Sequence, residues 1–484
     1  MKLNRRDFIL SASGFVLASR LPVFGQDKKK HVIVAGAGLA GLATAYELSA
    51  KGFDVTVIEG RNRIGGRVHT LRKPFTDDLQ VETGGELIGD GYKRMLGYAD
   101  KFGVEYQPLS EEVETGGSVA EIQDGIGRTA YLKGKLYERG ANFKPHPYGL
   151  KGDEAKVLPP TLYGTNIRKF INEVRRNNKT LADFDKLSLA DALRQNKVSE
   201  KAIELMNISL NYNSIETVST GGVLFDSTRR RTAGVSRIKI VGGNDLLPKA
   251  LAENAVKNGT NIILSAKIKK ISQNDKNVVV TYQNEDGQIQ TLQADKLVCT
   301  IPFSVLKEVE FSPCLPYQKT KAINELDYTQ NTKVYLQAQY TEWDKRALGS
   351  SIWTDTPIER IFSSTGKIGD EKAILTIWTD GDGSKTLEKM DDQMRIGFAQ
   401  KKFEEILPFM KGSVEKTHTL SWSQDEFARG TYSHLKVGQL MTIQPHIKTA
   451  VGNIHFAGEH TAEISPGMEG AFESAERVVK EISG

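Results

Sequence analysis

The chain has 484 residues, more than one hydrophobic core usually serves, so two or more domains are expected. Its formal net charge is +5, and the first 26 residues hold much of it (Lys2, Arg5, Arg6 and Arg20 against Asp7), which leaves no case for nucleic acid in the remainder. Cys299 and Cys314 show neither metal-ligand spacing nor a disulfide framework, so both read as buried thiols and no metal is expected.

Residues 1–26 read as an address. Arg5-Arg6 is followed by an apolar stretch from Phe8 to Phe24 and a polar boundary near Gln26. This resembles a bacterial twin-arginine export signal, which implies a periplasmic or otherwise exported destination and contact with export machinery. The alternative is a basic leader that stays attached. Ser11, Ser13, Ser19 and Arg20 interrupt the stretch, so no stable membrane span is expected there, and no other run is long enough.

Next comes the stretch around which the chain is organised. His31–Ala35 is an apolar, β-branched run and reads as a buried strand. Gly36, Gly38 and Gly41 follow in the spacing G-x-G-x-x-G, then a helical pattern places Leu42, Ala45, Tyr46 and Leu48 on one face. A second strand, Asp54–Ile58, ends at Glu59. This is the β-α-β unit of a dinucleotide site. Gly36 permits the turn, Gly38 lets backbone approach a pyrophosphate, and Gly41 lets helix and strand pack closely. The pyrophosphate rests on amides at the helix start, around Leu39 and Ala40. Glu59 is placed to accept from a ribose hydroxyl, and a nicotinamide cofactor would suit it as well as a flavin. Gly60, Arg61, Gly65, Gly66 and Arg67 then offer a second approach of backbone to phosphate or sugar, and Gly84-Gly85-Glu86 forms a further glycine-rich connection before a helical Tyr92–Phe102.

D-V-T-V-I-E-G-R-N-R-I-G-G-R-V-H-T followed by E-T-G-G-E-L-I-G resembles the flavin-containing amine oxidase superfamily, which includes monoamine, polyamine and L-amino-acid oxidases. The resemblance implies an α/β fold: a Rossmann-like FAD-binding domain assembled from three chain segments, plus an α+β substrate domain with a helical insertion. The expected segments are 27–105, 236–310 and 431–484 for FAD, with 106–235 as the helical part and 311–430 as the sheet part of the substrate domain. Residues 110–235 are polar and lysine-rich, with helical patterns at Tyr163–Arg176, Leu189–Arg194 and Glu200–Leu210. Asp226 and Arg229-Arg230-Arg231 lie near their end, and three adjacent arginines read as a solvated feature. The middle segment runs from Gly242-Gly243-Asn244-Asp245 through a helix and strands to Cys299-Thr300-Ile301-Pro302. By resemblance, Ile268 lies where backbone meets the adenine. In 311–430, strand-like runs at Val334–Gln339 and Ala373–Trp378 precede a helix at Met390–Leu407. Last come Gly458, Glu459, Gly467, Met468 and a helical Phe472–Ile482, which by resemblance reach the ribityl chain and the flavin carbonyl.

The resemblance also implies the chemistry. FAD oxidises a primary or secondary amine to an imine, water yields a carbonyl compound, and O2 becomes H2O2. L-amino-acid oxidation, a periplasmic dehydrogenase passing electrons to a cytochrome, a flavin desaturase and a flavin-binding protein without turnover stay open, as does a homodimer. Lys333, leading an apolar strand, matches the lysine that holds a water against flavin N5. Trp422 and Tyr432 match the W…A-R-G-x-Y-S segment, with Tyr432 as one wall of an aromatic cage. Monoamine oxidases carry a flavin-tethering cysteine where Thr431 stands here, so FAD is expected to be non-covalent. Their second cage tyrosine corresponds to Gly467, which implies a wider, one-sided cage. The carboxylate-binding arginine of venom-type L-amino-acid oxidases corresponds to Ile88, which weighs against an amino-acid substrate. Glu86 is expected either to bond nearby backbone or to attract a cationic group.

Overall fold

The computed structural model describes residues 29–108, 129–138, 145–345, 351–366 and 369–484; the export-signal reading of 1–26 lies outside them. His31–Ala35 is the central strand of a five-stranded parallel sheet. Alternation along it divides the core. Val32 and Val34 face the helices Leu39–Ala50, Leu246–Lys257 and Gly467–Ser483. Ile33 and Ala35 face Ile268, Ile271, Val280 and Phe303 on the other side. The strand order is Asn261–Ile263, Asp54–Ile58, His31–Ala35, Lys296–Cys299, Ile454–Phe456, so one sheet joins three distant stretches of chain. All four pairings are parallel, and a parallel sheet needs both faces covered. Beneath it lies a four-stranded sheet built on Lys267–Gln273, Val278–Gln283 and Ile289–Ala294.

A seven-stranded sheet is the largest of the remaining β-structure, which also includes a three-stranded sheet and two short ribbons. Its order is Val414–Ser421, Asn331–Gln339, Lys372–Asp380, Arg360–Ser363, Ser351–Thr354, Thr129–Leu132, Lys135–Glu138. Five helices between Pro159 and Arg230 share a separate core around Phe170, Phe184, Leu193 and Ile203. Side-chain caps from Thr180, Ser188, Ser199 and Ser219 start four of them.

Several expectations are corrected. The stretch 110–235 is mostly helical as expected where it is described, but Thr129–Leu132 and Lys135–Glu138 join the large sheet. Lys333 is the third residue of its strand rather than the one leading it. The last helix begins at Gly467, five residues before Phe472. Cys299 is buried but Cys314 is exposed. Among the described residues no helix is long and apolar enough to cross a membrane, and no cluster of His, Cys, Asp and Glu is arranged to hold a metal.

Candidate active site

A cavity of about 550 Å³ runs from the glycine loops to the large sheet. Every sequence-predicted cofactor residue lines it except Gly41, and so do Lys333, Trp422 and Tyr432. Gly41 instead serves packing: a Cβ there would stand 1.9 Å from the Gly36 carbonyl oxygen. The helix Leu39–Ala50 aims its unpaired first-turn amides at the cavity, with Gly38 as its extended N-cap. Glu59 braces this end. Its Oε2 accepts from the Ala37 N–H and its Oε1 from the Arg61 N–H, both at 2.8 Å. Each oxygen keeps a lone pair for a further donor. A bulge at Lys269 interrupts the ladder beside Ile268, and Lys267, Ile268 and Lys269 all border the cavity.

The arginines of the second glycine loop are tied to protein. Arg61 forms a bidentate pair with Asp425 at 2.7 and 2.5 Å and lies over the Phe427 ring. Arg67 donates to the Thr431 carbonyl and stands 3.8 Å from Glu459 Oε2, a buried oxygen with no hydrogen bond. The Gly84–Glu86 loop is clamped from three sides. The Gly85 N–H donates to the Arg67 carbonyl at 2.9 Å, and Asn244 Nδ2 donates to the carbonyls of Gly85 and Glu86 at 2.9 and 3.0 Å. Trp422 Nε1 donates to the Thr83 carbonyl at 2.7 Å. These bare amides, the glycine approaches and the orphaned Glu459 oxygen fit a dinucleotide carrying a polar ring system.

At the far end, three strands place Lys333, Trp378 and Arg360 in one cross-strand row. Lys333 is 1% exposed, and its Nζ makes no hydrogen bond. It lies 3.8 Å from Glu86 Oε2 and 3.8 Å from the centre of the Trp378 ring. Burial pushes the Lys333 ammonium below the usual lysine range and the Glu86 carboxyl above the usual carboxylate range. Glu86 thus has a cation beside it. Trp378 Nε1 donates to Asp380 Oδ2 at 2.8 Å, and Arg360 Nη2 donates to Asp380 Oδ2 at 2.6 Å and to Asn211 Oδ1 at 2.8 Å. Arg360 Nε is buried without a hydrogen bond. Arg230 pairs with Asp226 at 2.6 Å and lies 6.0 Å from the centre of the Tyr432 ring.

The arginine run therefore is not a solvated feature: Arg230 borders the cavity, Arg229 is buried against the Ser465 carbonyl, and of the three only Arg231 is exposed. Gly467 borders the cavity, and a Cβ there would make an ordinary contact with the Tyr92 hydroxyl at 3.5 Å. Sequence reasoning did not find Tyr92, Asn211, Arg230, Arg237, Trp353, Arg360, Phe362 or Trp378 on this cavity. The one local signal was the spacing of Trp378 and Asp380, which puts them on one face of a strand.

Comparison with known proteins gives consistent results. Residues 39–483 match the model of the flavin containing amine oxidoreductases. A Bacillus subtilis (strain 168) protein named provisionally as an L-amino-acid oxidase is 30% identical over 94% of this chain and 95% of its own. The L-amino acid oxidase bordonein-L of Crotalus durissus terrificus is 26% identical over 94% and 87%. Two solved structures share the fold at 18% identity and 94% coverage of this chain: putrescine oxidase bound to putrescine (TM-score 0.73, 99% of that chain) and cyclohexylamine oxidase from Brevibacterium oxydans IH-35A (TM-score 0.74, 100%).

Proposed function

The chain belongs to the flavin-containing amine oxidoreductase family, and from that premise we propose that it oxidises an α-amino acid to an imino acid at the expense of dioxygen. A bound flavin would take the hydride equivalent from the carbon beside nitrogen; position, dryness and charge come from the protein. The observation that carries the amino-acid reading is the charge of the far wall. Residues 211–237 and 333–378 contribute Arg230, Arg237, Lys333 and Arg360 to the cavity surface, four cations against the one carboxylate beside Lys333, Glu86. Asp226 and Asp380 sit behind their arginines and do not border it. Such a wall suits a substrate carboxylate and opposes the second ammonium of a diamine. Ile88 is buried in a short strand and does not border the cavity. The cations come from other elements.

Substrate choice tests this reading. Anaerobic flavin bleaching by a panel of α-amino acids and their decarboxylated amines is expected to occur with the acids and fail with the amines. Bleaching by amines alone would overturn it. In air, peroxide formed with each turnover, undiminished by added cytochrome, is expected of an oxidase.

FAD is held without a covalent link in this proposal. Among the described residues neither cysteine nor histidine borders the cavity, and Thr431 stands where a tether would be. Acid precipitation should leave the yellow chromophore in the supernatant; colour in the pellet would refute the point. Export directed by Arg5-Arg6 is part of the same proposal and is checked by cell fractionation.

A further inference from the structure

We infer that Glu86 and Lys333 form a proton store that carries one proton from the first half of the turnover to the second. This rests on reading the cavity as the site of a flavin-dependent oxidation.

Converting a substrate CH–NH3+ to C=NH2+ breaks two bonds. The C–H bond breaks and its hydrogen leaves with the electron pair for the flavin. One N–H bond breaks and its hydrogen leaves as a proton. Later, dioxygen takes up the two electrons and the transferred hydrogen, and it needs one more proton to become hydrogen peroxide. The proton lost first and the proton needed last are equal in number, and both change hands in the same cavity.

The carboxylate of Glu86 is built to hold it. The loop backbone is fixed by Asn244 and Arg67, so the side chain projects from a rigid support. Its Oε2 stands 3.8 Å from Lys333 Nζ, too far for a direct hydrogen bond and near enough for strong attraction. Lys333 Nζ, buried and without a hydrogen bond, steadies the carboxylate when it is charged. Other charged groups surround the pair. Arg237 and Lys239 act on Glu86 as cations, while Glu82, Asp380 and Arg360 act on Lys333. Glu82 is bonded by Thr70 and the Asn244 N–H, and burial pushes it up to about 7. Asp380 is held by Trp378, Asn331 and Arg360. Tyr335, which faces both glutamates, is kept neutral by burial. Burial moves Glu86 up and Lys333 down, which draws their proton affinities toward each other.

Proton counting tests the inference. Excess amino acid is added anaerobically to flavin-loaded protein in weakly buffered indicator solution. The wild type is expected to release almost no proton, and Glu86→Gln about one per flavin. Glu86→Asp keeps a carboxylate and should retain the proton, which preserves the test if the glutamine variant binds flavin poorly. Equal release from wild type and Glu86→Gln would overturn the proton store. Failure of every amino acid and amine to bleach the flavin would overturn the proposed function instead. In that case the resting protein decides: the visible absorption of bound flavin should titrate with pH in the wild type and not in Glu86→Gln, and superposable titrations would overturn the pair.

Discussion

Replacing Lys333 with methionine is expected to slow reoxidation of the reduced flavin by dioxygen on the order of 10²-fold, with FAD still bound. The size follows from the setting of the ammonium. It is 1% exposed, carries no hydrogen bond and faces the cavity beside a single carboxylate. A cation so desolvated interacts strongly with negative charge developing on dioxygen as it accepts electrons. Methionine is close in volume and apolar, and Glu86, left without its neighbour, keeps the influence of Arg237 and Lys239 and can take up a proton, since burial already raises its affinity. The effect of the substitution should therefore be read in kinetics rather than in folding. The pH dependence has a definite sign. Lys333 is a cation below its pKa, and burial has lowered that pKa. The wild-type reoxidation rate should fall as pH rises through a value below the ordinary lysine range, and Lys333→Met should lose that fall. Stopped-flow reoxidation across pH, with the flavin-to-protein ratio measured in parallel, checks both points. An unchanged rate would remove Lys333 from the oxygen reaction, and lost flavin with normal kinetics in the remainder would make it a binding residue.

The parts of this molecule that were legible in the sequence share a physical reason. Strand His31–Ala35, the glycines after it, Glu59, and the segments ending at Pro302 and starting at Gly458 are each defined within a short stretch. Their constraints are local: tight turns, close backbone approach, an apolar strand buried on both faces. Gly36, Gly38, Glu59, Pro302 and Gly458 border one cavity, while Gly41 serves packing and the strand supports the loop behind them. The far wall is different. Trp378 and Arg360 meet Lys333 only because three antiparallel strands pair in one register, and that register belongs to the whole sheet. Arg230 reaches Tyr432 across two segments separated by some two hundred positions, from a helix whose arginine run gives no hint of which member turns inward. The cofactor end was therefore readable as motifs, while the substrate end was readable only as unplaced residues.

That same wall carries the last expectation. Arg230→Met should lower kcat/KM for α-amino acids on the order of 10²-fold, or about 2–3 kcal/mol, as expected when a charged hydrogen-bonding partner of a substrate carboxylate is removed. The matching decarboxylated amine should react no worse than before. Arg230 is suited to this test because Asp226 retains a second cation, Arg229, at 3.8 Å, so the change does not strand a lone buried charge. Arg360 is the harder case. Its partner Asp380 is almost fully buried, and removing the guanidinium would leave that carboxylate short of its cation. Burial already pushes Asp380 upward, so it would take up a proton and its hydrogen bonds would rearrange. Arg360→Lys keeps the charge and forfeits the planar fork. It should raise KM for amino acids by about tenfold while leaving kcat near its original value, the pattern of lost binding that is equal in ground and transition states. Together the two variants separate a carboxylate anchor from general electrostatics. If both lose amino acids and amines in equal proportion, the arginines shape the wall without recognising the acid. If Arg230→Met instead gains activity on simple amines as it loses the amino acids, the cationic wall is what selects between the two substrate classes.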